Sequence, residues 1–188
     1  MNYPIHKLSK CFGDKVIFNN AEFLFKGGET NAIVGASGIG KTTLLRILLS
    51  LETADSGDIS SLHGLRFSAV FQEYRLCENL SASANVRLVT TREQGDELLK
   101  ELGLKESISL PVREFSGGMK QRVSIARALA APFDILVLDE PFTGLDDDTK
   151  ERTIACIKRH TKGKTIILVT HDAKEREMMQ VKNTISLA

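Results

Sequence analysis

The chain has 188 residues, 42% of them hydrophobic and 26% charged, with a formal net charge of +1. That is the composition of one ordinary soluble domain with a substantial core, and it argues against a disordered chain. The charge gives no support to a nucleic-acid-binding surface. Cys11, Cys77 and Cys156 include no C-x-x-C pair, so a zinc site or disulfide framework is not expected, and plain thiols of a reducing cytosol are. Residues 1–10 lack the apolar core of a signal peptide. No apolar run approaches the roughly 20 residues that cross a bilayer, so any membrane role requires another chain to supply the span.

Ile5–Ser9 and Val16–Phe25 read as strands around a turn at Cys11–Lys15, and Lys26–Glu29 is a second turn. Phe12 in the first turn either packs it or stacks on a ligand. Residues 31–34 form a short buried strand, and Gly35-Ala36-Ser37-Gly38-Ile39-Gly40-Lys41-Thr42 follows. This run fits G-x-x-x-x-G-K-[ST], the phosphate-binding loop. Thr43–Leu49 continues as a helix with an apolar face, which supplies the strand–loop–helix context that the pattern needs. Glycines let successive N–H groups turn inward toward phosphate oxygens, and the helix start adds free N–H groups and the positive end of its dipole. Lys41 brings a charge for the β- and γ-phosphates, and the Thr42 hydroxyl is a Mg²⁺ ligand.

After a polar break at 53–58, Leu65–Phe71 reads as a strand ending at Gln72. That position suits an amide facing Mg²⁺ or an attacking water, or a plain surface residue. Residues 76–110 carry helical patterning over Ser81–Val89 and Arg92–Leu102, with Gly103 as a stop. They are expected to form a small helical subdomain within a single domain, beside a core of 1–75 and 111–188. Ser116 in Ser116-Gly117-Gly118 is an N-cap candidate for a helix to about Ala131, and so a second helix start suited to an anion.

Ile135–Asp139 is a continuous apolar strand ending in Asp139-Glu140, the pattern of a strand buried on both faces of a parallel sheet. Asp139 would face the loop and hold Mg²⁺, and Glu140 would orient or deprotonate a water. Asp146–Asp148 is an acidic run ahead of the helix Thr149–His160. Thr165–Thr170 is another buried strand. His171 stands at its end, where a structural and a ligand-facing role are equally open. Asp172–Gln180 reads as a helix and Thr184–Leu187 as a final edge strand, with no regulatory tail expected.

Taken in order, these motifs resemble the ATP-binding-cassette (ABC) ATPase family over essentially the whole chain. The resemblance implies an α/β fold: a P-loop NTPase core with a mostly parallel sheet, an antiparallel β edge and a small helical subdomain. It implies ATP and Mg²⁺ as ligands. Phe12 would stack on adenine, Gly35, Ser37, Gly38, Gly40, Lys41, Thr42 and Thr43 would hold the phosphates, and Thr42, Gln72 and Asp139 would hold the metal. Glu140, His171, Lys41 and Gln72 would carry the chemistry. It implies a head-to-tail dimer with a second copy or a homologous cassette. There Ser116, Gly117 and Gly118 of one chain close on the nucleotide of the other, and Asp146 lies across the seam. Transmembrane permease subunits would be the other partners, meeting the helical subdomain and the segment after Gln72 on the inner face of the cell membrane.

Met119 stands where the family usually has Gln, and it offers no amide to the ribose. The phosphate contacts belong to Ser116 and Gly118, so activity is expected to survive. Asp139-Glu140-Pro141-Phe142 and Gly117–Arg122 look most like bacterial importers of the nitrate/sulfonate/taurine-like group. Export or lipid extraction is the alternative within transport. A soluble ABC ATPase would carry a coiled-coil insertion or a second cassette.

Overall fold

The computed structural model describes residues 1–187. A three-stranded antiparallel sheet of order β2-β1-β4 is built from β1 (Asn2–Phe12), β2 (Lys15–Lys26) and β4 (Ser56–Asp58). A five-stranded sheet of order β5-β6-β7-β3-β8 contains β3 (Thr30–Val34), β5 (Phe67–Val70), β6 (Ile135–Asp139), β7 (Thr165–Val169) and β8 (Asn183–Ser186). Every pairing in the second sheet is parallel. The expected α/β architecture, with a parallel sheet and an antiparallel edge, is therefore what the chain adopts.

β6 and β7 are buried at every residue, which is why they read as unbroken apolar runs. Their side chains alternate between two cores. Ile135, Val137, Ile167 and Val169 face β1, β2 and the helix α1 (Lys41–Leu48). Leu136, Leu138, Ile166 and Leu168 face α4 (Gly117–Ala130) and α5 (Asp147–His160). The helices α2 (Ala82–Val86) and α3 (Arg92–Glu101) pack on α4 through Val86, Leu98, Leu99 and Val123. A last short helix, α6 (Ala173–Met178), precedes β8.

Several boundaries differ from the sequence expectation for identifiable reasons. Both hairpin strands run longer, and β1 carries a register shift between Ile5 and Leu8 with Lys7 at φ 51°. The bulge sets Ile5 and Leu8, three residues apart, into the same core. The polar break at 53–58 contains β4, three exposed residues that pair with β1. A Cβ on Gly57 would come within 2.8 Å of the Leu8 Cα, so the strand rests on close backbone approach rather than on apolar side chains. The helix expected over 81–89 is only Ala82–Val86. α5 starts two residues early because the Asp146 carboxylate accepts from Thr149 N and caps it.

One buried polar residue ties the sheet to the hairpin. Asn31 donates to the carbonyls of Lys26, Glu29 and Ile166 and accepts from Lys26 N and from the Asn183 amide. Asn31→Ala removes the amide donor from these carbonyls and the acceptor from Lys26 N in a fully buried site. A loss of about 2–4 kcal/mol is expected from urea denaturation. A change within 0.5 kcal/mol would show that the network adds nothing.

Candidate functional site

β3 ends at Val34, and the chain curls through Gly35–Gly40 before α1 begins. Gly38 and Gly40 take φ of 75° and 115°, the left-handed region that glycine enters without strain. Gly40 also has no room for a side chain, since a Cβ there would lie 2.7 Å from the Ile17 side chain. No side chain caps α1 and its first turn holds no acid. Its leading N–H groups are thus left for an anion. Lys41 Nζ donates to the carbonyls of Gly35 and Ala36 at 2.8 Å, folding the ammonium back across the loop.

Beside this loop, β6 delivers Asp139 and β7 delivers His171. Asp139 is 6% exposed. Burial and the neighbouring Glu140 push its carboxyl up to about 6, against a smaller opposing pull from Lys41. Glu140 sits at φ 47°, a conformation that costs a side-chain-bearing residue roughly 1–2 kcal/mol. Its N–H donates to the Val169 carbonyl, which anchors the turn. The Glu140 carboxylate reaches the His171 Nδ1 at 3.2 Å, and this contact raises the His171 pKa. The imidazole itself is exposed.

These groups share one cleft of about 540 Å³. It takes in Gly35, Ser37, Gly38, Gly40, Lys41, Thr42 and Thr43 from the loop and α1. Phe12, Gln72, Asp139, Glu140 and His171 line it as well. Phe12 is exposed and the Lys10 ammonium lies 4.7 Å from its ring centroid. Ser116, Gly117, Gly118 and Asp146 do not line this cleft. They gather elsewhere: Ser116 caps α4 by accepting from Met119 N. A Cβ on Gly118 would lie 3.0 Å from the Gly144 carbonyl. Asp146 lies near Arg122 of α4, and their charges interact. The chain therefore carries two helix starts suited to anions, with only the first inside the cleft.

Lys15, Ile17 and Val169 also line the cleft and were not anticipated. Lys15 and Ile17 are two apart on β2, and that alternation was the available signal. Behind His171 the Thr170 hydroxyl donates to the buried Glu175 carboxylate, which Lys150 of α5 pairs at 2.9 Å. Nothing in the local pattern marked this link between α5 and α6.

The family described as "ABC transporter" matches residues 18–143. An "Aliphatic sulfonates import ATP-binding protein SsuB 1" of Agrobacterium fabrum is 38% identical, over 92% of this chain and 66% of the relative. A "Macrolide export ATP-binding/permease protein MacB" of Mannheimia succiniciproducens is 34% identical, over 95% of this chain and 33% of the relative. This chain thus spans about two thirds of the first relative and a third of the second. Among solved structures, the dimeric cassette MJ0796 superposes with a TM-score of 0.85 at 28% identity, covering 100% of this chain and 94% of the other. The same cassette in a post-hydrolysis state bound to ADP and Pi superposes equally well.

The raised Asp139 pKa has a definite sign for stability. The native carboxyl keeps its proton up to about pH 6, whereas 3.8 is its ordinary value. Stability therefore falls as pH rises between these values, and the full cost persists above them. Without divalent ions, Asp139→Asn is expected to melt higher than the parent at about pH 7.5, with the gap closing toward about pH 4. Equal melting temperatures across that range would show that the carboxylate is not destabilised in place.

Proposed function

On the premise that this chain belongs to the ABC transporter family, we propose that it is an ATP-hydrolysing subunit that dimerises head to tail around ATP and powers a transmembrane transporter. The observation that carries this reading is the split between the two anion sites. Lys41, Asp139, Glu140 and His171 converge on one cleft, while the Ser116 helix start lies outside it. Each cleft is then completed by the Ser116–Gly118 segment of a second copy or of a homologous cassette, with Asp146 at the seam. The dimeric form of MJ0796 supports that arrangement.

Within it, Lys41 and the free N–H groups of α1 hold the phosphates, aided by Ser37 and Thr43. Phe12 presents its exposed ring to the adenine. Glu140 accepts the proton of the water that attacks the γ-phosphate, and His171 contacts that phosphate while its bond to Glu140 orients the carboxylate. Thr42, Gln72 and Asp139 are the residues that would hold Mg²⁺. The fit is supported by the Asp139 carboxylate, which lines the cleft and accepts no hydrogen bond among the described residues. Bound there, Mg²⁺ would neutralise charge on the β- and γ-phosphate oxygens.

Residues 76–110 serve as a helical subdomain on a core of 1–75 and 111–188. With the segment after Gln72 they present exposed Leu80, Leu88 and Leu110 to permease subunits at the inner face of the membrane. Among the described residues no helix is long and apolar enough to cross a membrane. The sulfonate-import relative favours uptake of a small molecule. A second reading, export, is favoured by the MacB relatives.

Lys41→Ala is expected to weaken ATP binding by about tenfold or more in equilibrium titration, since it removes the one side-chain charge in the loop. Unchanged affinity would remove the loop from the reading. Glu140→Gln keeps the shape and removes the base, so it is expected to accumulate an ATP-bound dimer with hydrolysis reduced about a hundredfold or more. Light scattering and phosphate release check both. Tagged Glu140→Gln extracted from membranes should bring down a polytopic membrane protein, and the direction in which that partner moves solute separates import from export. Recovery from the soluble fraction alone would transfer the weight to a soluble ATPase.

A further inference from the structure

Glu101, Cys156 and His160 form a cluster outside the cleft that the proposed reaction leaves unused. Cys156 and His160 stand one turn apart on α5 and share a face. That face meets Glu101, the last residue of α3. One ligand atom from each residue lies within 4.8 Å of the other two. His160 Nε2 and a Glu101 carboxylate oxygen are 2.9 Å apart, and the buried Cys156 sulfur lies within 4.8 Å of both ligand atoms. Around a tetrahedral zinc ion, sulfur, nitrogen and oxygen ligands stand roughly 3.3–3.7 Å from one another. Side-chain movements of about an ångström therefore close the set around an ion.

The surroundings suit a metal. Arg159 pairs with the other oxygen of Glu101 and turns the first toward the cluster. Cys156 is buried, while Glu101 and His160 open on a groove of about 480 Å³ that Glu97 also lines. The groove provides an entry path and room for a water as fourth ligand. We propose that Glu101, Cys156 and His160 bind a zinc-class divalent transition metal ion that ties α3 to α5. A thiolate and an imidazole select such an ion over Mg²⁺. Binding replaces the thiol S–H bond with a metal–sulfur bond and releases the proton to solvent. The Glu101–His160 hydrogen bond gives way to two metal bonds as the Nε2 proton passes through solvent to Nδ1 of the neutral imidazole, with no change of oxidation state. The cysteine pattern argued against zinc because the third ligand comes from a different helix, far away in the chain.

The test uses the full chain carrying Cys11→Ser and Cys77→Ser, which removes the exposed thiols, titrated with Co²⁺ alone and without nucleotide. A thiolate-to-cobalt charge-transfer band saturating at one equivalent is expected, and Zn²⁺ should abolish it by displacement. The band should disappear in Cys156→Ser and in His160→Asn, and Glu101→Gln should weaken Co²⁺ binding about tenfold or more. His160 is partly exposed, so its variant keeps the test valid if the buried Cys156 variant fails to fold. Zn²⁺ should also raise the melting temperature of the parent and not of His160→Asn. Absence of the band, its survival in His160→Asn, or ions bound without a thiolate signal would each overturn the site and leave a Glu101–His160 pair beside a buried thiol.

Discussion

The parallel register of β3, β7 and β6 is the constraint on which the site depends. Ile33 pairs with Val169, and Val169 pairs with Asp139. The residues just beyond three separate strands therefore emerge side by side at one edge. Those residues are Gly35, Glu140 and Thr170-His171; Gly35 lies more than a hundred residues from Glu140, and Glu140 lies 31 residues from His171. The Glu140 N–H to Val169 carbonyl bond carries the pairing past the end of the strand. A slip of one residue would turn each strand's side chains to the opposite face and exchange the two cores. The alternation of Leu136 and Leu138 against Ile135 and Val137 thus holds the register by hydrophobic burial.

That same edge carries costs that the cores offset. Asp139 is buried without a hydrogen-bond donor among the described residues, and Glu140 holds a left-handed backbone. Both are expected where geometry serves chemistry rather than stability. Behind them, the buried Glu175 accepts from Thr170 and pairs with Lys150. Lys150 N in turn donates to the Asp146 carbonyl. Thr170, Glu175 and Lys150 therefore join the residue beside His171 to the first turn of α5.

The two helix starts divide the molecule's anion chemistry. α1 is uncapped by any side chain and opens into the cleft. α4 is capped by Ser116 and sits against the Gly144–Asp146 turn, away from the cleft. A single chain leaves the cleft open on one side, and the dimer proposed above gives the second helix start a purpose. Gly118 permits the close approach of α4 to that turn, since a Cβ would press against the Gly144 carbonyl.

Residue order alone determined the phosphate loop, the two buried strands ending in Asp139-Glu140 and Thr170-His171, and the capped helix at Ser116. Each is a local matter of glycine freedom, continuous hydrophobicity or a hydroxyl at a helix start, and each is complete within about ten residues. Gln72 and Phe12 could be placed at element ends, though nothing local aimed them at a cleft. Tertiary structure alone decided what depends on distant approach. β4 exists because Gly57 lets its backbone reach Leu8, and Asn31 holds partners from three strands. Lys15 and Ile17 reach the cleft across the hairpin, and Glu101 meets Cys156 and His160 only because the last residue of α3 comes up to the side of α5. Such contacts join residues far apart in the chain, and no local period records them.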